Sequence, residues 1–181
     1  MPSTTTLVVM GVSGAGKTTT ALELVRLLGW DYAEGDDFHP AANVEKMHAG
    51  IPLDDEDRWP WLRALAAWIG GHEQEGRPAV VTCSALKRSY RDLLRDGHPS
   101  VFFVHVHGSA ALLHERVENR HGHYMPPSLL DSQLETLEPL GTDEPGITVA
   151  ADGTPSVVAE RVLDALRAAG HPVAPSEMKA P

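Results

Sequence analysis

Residues 11–18 read Gly-Val-Ser-Gly-Ala-Gly-Lys-Thr, and this octapeptide limits the possible folds of the chain more than any other feature. The pattern G-x-x-x-x-G-K-[ST] forms a loop whose consecutive backbone N–H groups surround phosphate oxygens. Lys17 would reach the β- and γ-phosphates, and the hydroxyl of Thr18 would ligate Mg²⁺. The sequence therefore predicts a nucleoside triphosphate site, with contacts from Gly11, Val12, Ser13, Gly14, Ala15, Gly16, Lys17, Thr18 and Thr19.

The segments on either side of this phosphate loop fit the prediction. Thr5–Met10 is a short, β-branched, apolar run that is typical of a buried strand. After Thr18, apolar residues recur at helical spacing until Gly29 closes the pattern. The helix would therefore begin at the loop and direct its dipole and free N–H groups at the bound anion.

Composition limits the partners and the compartment. The 181 residues suffice for one domain with a sizeable core. A net charge of −10 argues against a nucleic-acid partner or an anionic membrane, since phosphate groups attract basic surfaces. We expect neither a signal peptide nor a membrane span, because the apolar runs are too short. The single cysteine, Cys83, suits a reducing compartment and favours a cytoplasmic location.

Strand and helix patterns alternate along the chain, which predicts an α/β fold built on a parallel sheet with helices on both faces. Ser109 is placed to cap a helix that runs to about Arg120. Thr154 and Pro155 would begin the last helix. The predicted strands are Thr5–Met10, Asp31–Glu34, Ala79–Cys83, Val101–His107 and Gly146–Ala150.

We expect a single domain over residues 1–169. Two helical patterns, Pro40–His48 and Trp59–Ile69, lie between the second and third strands. By analogy with small-molecule kinases of this build, this insertion, at about residues 36–76, would bind the acceptor. We predict a lid region at about 116–138. Residues 170–181, rich in proline and small residues, are predicted to form a flexible tail.

The phosphate loop alone does not distinguish a kinase from a GTPase or an ATPase. Guanine recognition usually needs an N-K-x-D segment late in the chain, and neither Asn43 nor Asn119 begins one. The chain is also short for a motor or a ring-forming ATPase. A kinase and a nucleotide-dependent switch with slow hydrolysis therefore stand as the alternatives.

Two carboxylates follow the second predicted strand. Glu34 and Asp36 alternate on one side of the chain, at the carboxyl end of a strand that neighbours the phosphate loop. Such positions face the crevice where ligands bind in parallel sheets. One carboxylate can hold Mg²⁺ through water, and the other can orient or deprotonate an attacking hydroxyl. We favour function for Asp36, and a solvated turn for Asp37.

Basic residues are unevenly distributed in this acidic chain, and two of them precede a loop bounded by glycine and proline. Arg116 and Arg120 are four residues apart on one predicted helix, and His121–Pro127 form the loop. An arginine that swings over the γ-phosphate would stabilise the transferring charge and exclude water. Helical spacing alone would indicate only a solvated face, and the position beside a phosphate loop favours function.

Beyond the phosphate loop, four further segments carry a family resemblance: Gly35-Asp36-x-x-His39-Pro40-x-x-Asn43-x-x-Lys46-Met47, Gly50-x-Pro52-Leu53-x-Asp55-x-Asp57-Arg58-x-Pro60-Trp61-Leu62, Cys83-Ser84-Ala85-Leu86-Lys87-x-x-Tyr90-Arg91-Asp92, and Ser132-Gln133-x-x-Thr136-Leu137-Glu138-Pro139. Together they resemble the gluconokinases, small phosphate-loop carbohydrate kinases related in fold to shikimate and adenylate kinases. The match covers about residues 6–169.

The resemblance implies ATP-dependent phosphorylation of D-gluconate to 6-phospho-D-gluconate with Mg²⁺. It also implies a three-layer sandwich around a five-stranded parallel sheet in the order 2-3-1-4-5, and a homodimer. Lys17, Asp36 and Arg120 would be catalytic, Thr18 and Glu34 would serve the metal, and Arg116 would lie on the nucleotide side. The expected substrate-binding residues are Asp36, His39, Arg58, Lys87 and Arg91.

This chain departs from the usual family pattern at two positions. Glu34 stands where aspartate commonly precedes Gly-Asp, and Tyr124 stands where phenylalanine is common after the lid histidine. The longer arm of Glu34 should still reach a metal-bound water. A related sugar acid or shikimate as acceptor, or a nucleotide-dependent switch, are the alternatives to gluconate phosphorylation.

Overall fold

The computed structural model describes residues 4–120 and 127–176. Its five parallel strands are hydrogen-bonded in the order β2-β3-β1-β4-β5, which confirms the predicted fold class. The strands are β1 (Thr6–Met10), β2 (Asp31–Ala33), β3 (Ala79–Thr82), β4 (Val101–His107) and β5 (Gly146–Ala150). The helices are α1 (Lys17–Leu28), α2 (Ala41–His48), α3 (Asp55–Glu75), α4 (Arg88–Arg95), α5 (Ala110–Glu118), α6 (Pro127–Thr136) and α7 (Pro155–Ala168).

The central strands are buried because helices cover both faces of the sheet. All residues of β1 and β3 are buried, as expected for parallel strands without a solvent face. Helix α1 packs against α7, and α3 packs against α4. Because the strands are parallel, their carboxyl ends lie at one edge of the sheet, and the phosphate loop leaves β1 at that edge.

Helix α3 is longer than predicted, because it begins at Asp55 instead of Trp59 and runs to Glu75 instead of Ile69. Asp54 caps it: its side chain accepts from the Asp57 N–H at 2.8 Å, and the Asp57 side chain accepts from the Asp54 N–H at 3.0 Å. Pro60 lies inside the helix without ending it. The capping box thus fixes the start one turn earlier than the apolar pattern indicates.

The last turn of α5 also differs from the prediction. The Ser109 cap is confirmed, with its hydroxyl accepting from the Leu112 N–H at 3.2 Å. The helix ends at Glu118, so Arg120 lies beyond the Asn119 cap rather than on a helical face shared with Arg116.

The start of the predicted flexible tail is packed on the domain. The Trp30 Nε1–H donates to the Ala174 carbonyl at 3.1 Å, and the Ser176 N–H donates to the Leu28 carbonyl at 2.8 Å. The ring of His171 stacks on Phe102, with 4.3 Å between the ring centroids. Residues 171–176 therefore contact the domain, and residues 177–181 lie outside the described part of the chain.

Over the described residues, none of the helices combines the length and the apolar character needed to cross a membrane.

Candidate active site

The phosphate loop joins β1 to α1 in the conformation that its sequence predicts. Gly16 has φ 87°, a left-handed conformation that disfavours other residues, and α1 begins at the next residue. The Nζ of Lys17 donates to the Val12 carbonyl at 3.2 Å, so the lysine folds back over its own loop. Burial lowers the pKa of Lys17, while the carboxylates of Asp36 and Glu34 oppose that shift.

A cavity of about 400 Å³ opens above the loop, and we call it the large cavity. Residues of the loop and the start of α1 form its floor, and the segment between β5 and α7 forms a second wall. Glu34, Asp36, Arg116 and Arg120 also line it. Gly11 and Val12, predicted as nucleotide contacts, are buried and are not among the residues that line this cavity.

Glu34 is joined to the phosphate loop. Its Oε2 accepts from the Thr18 hydroxyl at 2.8 Å and also from the hydroxyl of Tyr32. Hydroxyl and carboxylate oxygens are hard ligands of the kind that Mg²⁺ prefers. The pair predicted to serve the metal is therefore assembled in the large cavity, and its chemistry fits that ion.

Asp36 is held in place by the glycine before it. The Gly35 N–H donates to Thr82 Oγ1 at 2.9 Å, and its carbonyl accepts from Trp61 Nε1 at 2.7 Å. A Cβ at Gly35 would lie 1.8 Å from the Thr82 carbonyl oxygen, so no side chain fits there. The backbone that carries Asp36 is thus fixed to both β3 and α3.

The carboxylate of Asp36 projects into the cleft, with 74 % of its side chain exposed. Desolvation within the cleft raises the pKa of Asp36, Lys17 opposes the rise, and the neighbouring charges of Glu34 and Asp37 add to it. A carboxylate with a raised pKa at the end of a cleft suits the role of a base for a hydroxyl group.

His39 lies beside Asp36 as a neutral imidazole. Its ring stacks on Trp61 with 4.0 Å between centroids, and its side chain is 3 % exposed. Burial, together with the charge of Arg58, lowers the pKa of His39 to about 4. Its Nε2 lies 3.9 Å from Asp36 Oδ1.

Asn43 sets the tautomer of His39. The Nδ2 of Asn43 donates to the Asp57 carbonyl at 2.8 Å, which fixes the orientation of the amide. The same Nδ2 lies 3.2 Å from His39 Nδ1, so Nδ1 is the acceptor. The proton of the neutral ring is therefore on Nε2, the nitrogen nearest to Asp36.

A second, smaller cavity of about 80 Å³ lies beyond Asp36, and we call it the small cavity. His39 and Arg58, two of the residues predicted to bind substrate, line it. Arg58 donates from Nη2 to the Leu53 carbonyl at 3.2 Å and lies over the ring of Tyr90, 5.3 Å from its centroid. Its position is therefore fixed while its charge remains without a carboxylate partner among the described residues.

Lys87, also predicted to bind substrate, is not among the residues that line the small cavity. Its Nζ donates to Asp55 Oδ1 at 3.1 Å, and the hydroxyl of Tyr90 donates to the same oxygen. It lines an adjoining groove together with Arg58 and Tyr90. Its charge is thus shared with Asp55.

The predicted role of Arg91 in substrate binding is not compatible with its position. Its side chain is fully buried, and its guanidinium donates to both carboxylate oxygens of Glu144, at 2.7 and 3.1 Å. The Ala85 carbonyl accepts a further bond at 2.8 Å. All these partners belong to the protein, so Arg91 ties α4 to the segment before β5 instead of contacting a ligand.

Arg116 joins the two walls of the large cavity. Its Nη2 donates to the Ala151 carbonyl at 2.7 Å, and its Nη1 lies 3.4 Å from the carbonyls of Gly14 and Ala15. Arg120 is exposed at the mouth of the same cavity. The predicted lid residues His121, His123 and Tyr124 lie outside the described residues.

The two cavities meet at three residues, because Ser13, Lys17 and Asp36 line both of them. A ligand in the large cavity and another in the small cavity would therefore face each other across a lysine and a carboxylate. Two ligands that face each other in this way are positioned for transfer of a group from one to the other.

Three residues that support the site have no role assigned to them in the sequence analysis. Tyr32 orients Glu34 and is two residues away on the same strand edge. Asn43 orients His39 from the next helical turn. Gln133 contacts the phosphate loop from α6. Asn43 and Gln133 lie within the quoted family segments, and that position could have indicated a role in the site.

A parallel sheet in the order 2-3-1-4-5, a phosphate loop after its first strand and two cavities that meet at Lys17 and Asp36 define a small phosphate-loop kinase. The sequence matches the family described as "AAA domain" over residues 7–140. It is also 53% identical to the gluconokinase of Gluconobacter oxydans (strain 621H) over 157 residues, 87% of this chain and 88% of that protein. The chain belongs to the gluconokinase family.

Solved structures agree with this assignment. The unliganded crystal structure of a sugar kinase from Janibacter sp. HTCC2649 is 51% identical and superimposes with a TM-score of 0.85, covering 91% of this chain and 95% of that one. A gluconokinase from Sinorhizobium meliloti 1021 is 43% identical with a TM-score of 0.83, covering 91% of this chain and 93% of that one. The family resemblance expected from the sequence is confirmed.

Proposed function

We propose that this protein transfers the γ-phosphoryl group of ATP to the 6-hydroxyl of D-gluconate, giving ADP and 6-phospho-D-gluconate. The observation that carries the proposal is the junction of two cavities at Lys17 and Asp36. One cavity has the phosphate loop as its floor, and the other has Arg58 and His39 in its wall. The kinship with gluconokinases supports gluconate as the acceptor.

The nucleotide would occupy the large cavity. The loop N–H groups and Lys17 would surround the β- and γ-phosphates, and Arg116 would face the base or ribose near Gly153 and Pro155. Thr18 and Glu34 would hold Mg²⁺ in its hydrated form. When bound, that ion neutralises charge on the phosphate oxygens during transfer.

The acceptor would occupy the small cavity. The guanidinium of Arg58 is a planar, permanently charged donor, and it suits the carboxylate of a sugar acid. His39 would donate its Nε2–H to a hydroxyl oxygen, because its other nitrogen is occupied by Asn43. Lys87, paired with Asp55, would add positive potential from the adjoining groove.

Asp36 would act on the reacting hydroxyl. As the bond between the acceptor oxygen and the γ-phosphorus forms, the bond from that phosphorus to the β-γ bridging oxygen breaks. The hydroxyl proton passes to Asp36, and Lys17 and Arg120 stabilise the charge on the transferring group. The position of Asp36 at the junction of the cavities supports this role.

The test is an acceptor panel. Purified protein with MgATP is offered D-gluconate, related aldonates, shikimate and AMP, while ADP release is followed. We expect acceptor-dependent turnover with gluconate as the best substrate. A preference for another sugar acid or for shikimate would show that gluconate is not the substrate. Slow turnover that does not depend on the acceptor would indicate a nucleotide-dependent switch instead of a kinase.

Two further expectations belong to this proposal. We expect a homodimer, which light scattering of the purified protein would test. We also expect a cytoplasmic location, which fractionation of the source cells would test.

A further inference from the structure

Helix α6 presents one of its faces to the small cavity. Leu129, Ser132, Gln133 and Thr136 follow the i, i+3, i+4, i+7 spacing of a single helical face, and all four line that cavity. The helix is anchored by Leu130, which is fully buried, and the Glu138 N–H donates to the Leu86 carbonyl at 2.7 Å just after it ends. The wall formed by α6 is therefore fixed to the core.

Gln133 connects this wall to the phosphate loop. The backbone N–H of Ser13 donates to Gln133 Oε1 at 2.7 Å, across 120 residues of sequence. A backbone N–H can only donate, so the atom that faces it must be the amide oxygen. Ser13 is one of the three residues at the junction of the two cavities.

The other end of the Gln133 amide, Nε2, is not used in the contact with the loop. Within residues 4–120 and 127–176, Nε2 has no hydrogen-bond partner, and it does not belong to the buried polar atoms without partners. Gln133 is half-buried and lines the small cavity, so its two N–H donors are available to a ligand there.

Among the charged and imidazole side chains that line the small cavity, hydrogen-bond donors predominate. Arg58 and Lys17 are cationic donors, and His39 offers its Nε2–H. Asp36 is the single carboxylate among the described residues that line this cavity. A ring of donors around one base matches an anionic ligand rich in hydroxyl oxygens, since such a ligand accepts hydrogen bonds along its whole length.

We propose that Gln133 is a specificity-determining residue for the acceptor: its Oε1 holds the phosphate loop and its Nε2 donates to an oxygen of the sugar acid. The inference rests on the proposed function and deepens it. Because one amide contacts both the loop and the acceptor, it sets the acceptor's position relative to the γ-phosphate. The neutral amide is also required, since a carboxylate at this position would repel an anionic acceptor.

The test compares Gln133→Glu and Gln133→Met with the wild type, by steady-state kinetics and by calorimetric binding of D-gluconate. Glu keeps an acceptor for the Ser13 N–H but removes the donors and adds a negative charge. Met keeps the size and removes both hydrogen bonds. We expect both variants to raise the KM and Kd for gluconate about tenfold or more, with Glu the more severe, because a hydrogen bond to a charged ligand is lost.

The KM for ATP separates specificity from a merely structural role. We expect Gln133→Glu to raise the KM for ATP less than the KM for gluconate, because the tie to the loop is kept and only the added charge acts on the nucleotide. The matched control is Glu135→Gln, an exposed residue on the same helix, which should change neither constant.

Three results would overturn the inference. The first is a wild-type KM for gluconate in Gln133→Glu, and the second is an equal rise of both substrates' KM values. The third is loss of the folded state in both variants, which would make Gln133 a structural tie. If the wild-type protein does not phosphorylate gluconate, the proposed function itself is wrong. Failure of the proposed function is thus distinguishable from failure of the inference about Gln133.

Discussion

The hydroxyl of Thr18 donates a 2.8 Å hydrogen bond to Glu34 Oε2, which joins the first turn of α1 to the segment that leaves β2. The hydroxyl of Tyr32 donates to the same oxygen. The contact brings together, across the crevice, the two side chains whose oxygens suit Mg²⁺. The 2.8 Å distance also shows that the longer side chain of Glu34 reaches the phosphate loop, although the family commonly has aspartate at this position.

This contact predicts how Glu34 variants respond to Mg²⁺. Glu34→Gln keeps a hydrogen-bond acceptor for Thr18 but loses the charge, so we expect the Mg²⁺ concentration for half-maximal activity to rise about tenfold. Glu34→Asp keeps the charge and should remain closer to the wild type. A titration of activity with Mg²⁺ at fixed ATP is the measurement, and an unchanged Mg²⁺ requirement in Glu34→Gln would remove Glu34 from the metal site.

Lys17 is predicted to serve the transferring phosphate and to matter little for folding. Its hydrogen bond is to a carbonyl of its own loop. Lys17→Ala should therefore lower kcat on the order of 10²–10³-fold, because charge at the β- and γ-oxygens is lost. Circular dichroism and thermal melting should remain close to the wild type. Near wild-type turnover in the folded variant would contradict the assignment.

Asp36 is predicted to be the base. Asp36→Asn keeps the shape and can still hydrogen-bond but cannot accept a proton, so kcat should fall on the order of 10²–10⁴-fold with little change in the KM for ATP. In the wild type, the raised pKa of Asp36 should place the acid limb of the kcat/KM profile, which reports the free enzyme, above the ordinary aspartate value of 3.8.

The control for this experiment is Asp37→Asn. Asp37 is also exposed and adjacent in sequence, but it lies outside the residues that line the two cavities. The Asp37→Asn variant should keep the kcat of the wild type. If Asp36→Asn also keeps its kcat, Asp36 is a turn residue and another group accepts the proton.

The fold was predictable because its signals are local. The bounds of β4 and β5 agree with the apolar runs, and Ser109 and Thr154 cap their helices as expected. The phosphate loop is encoded by eight consecutive residues, and so it needed no knowledge of distant contacts.

The errors and omissions arise from contacts between residues that are distant in sequence. The family resemblance implied a substrate-binding role for Arg91, but its partner Glu144 is 53 residues further along the chain, in a segment with the composition of a turn. The contact of Gln133 with Ser13 spans 120 residues. Burial and pairing at such separations depend on the assembled sheet, and no periodicity in the sequence reports them.

Acid should destabilise the protein through a buried histidine. His105 on β4 is 3 % exposed, and burial, together with the charges of His107 and Arg91, lowers its pKa to about 4 from 6.5. Between these two values the unfolded chain binds a proton that the folded chain does not. The free energy of unfolding should therefore fall as the pH decreases from 6.5 to 4, by on the order of 3 kcal/mol from this residue.

Urea unfolding at several pH values measures this dependence. His105→Gln cannot take up the proton and should show a flatter profile over that range, whereas His107→Gln, altered at an exposed position on the same strand, should retain most of the slope because burial is the larger cause of the shift. Equal slopes in the wild type and His105→Gln would show that His105 binds its proton alike in the folded and the unfolded chain.

Arg116 and Arg120 are predicted to divide their roles, although both line the large cavity. Arg116 is already engaged, because it bonds to Ala151 and lies against the carbonyls of the phosphate loop. Lysine keeps the charge but lacks the planar fork that reaches both walls. Arg116→Lys should therefore loosen the nucleotide cavity and weaken ATP binding more than it slows the chemical step.

Arg120 lies past the end of α5 and is exposed at the cavity mouth, so it is free to reach the transferring group when ligands bind. Arg120→Lys should depress kcat at least about tenfold with a modest change in ATP affinity, since its guanidinium would meet charge that develops only during transfer. Steady-state kinetics with calorimetric ATP binding on both variants separates these effects. If the two variants behave alike, or if neither matters, then the segment that carries both arginines is a solvated surface and the charge on the transferring group is stabilised by Lys17 and the loop alone.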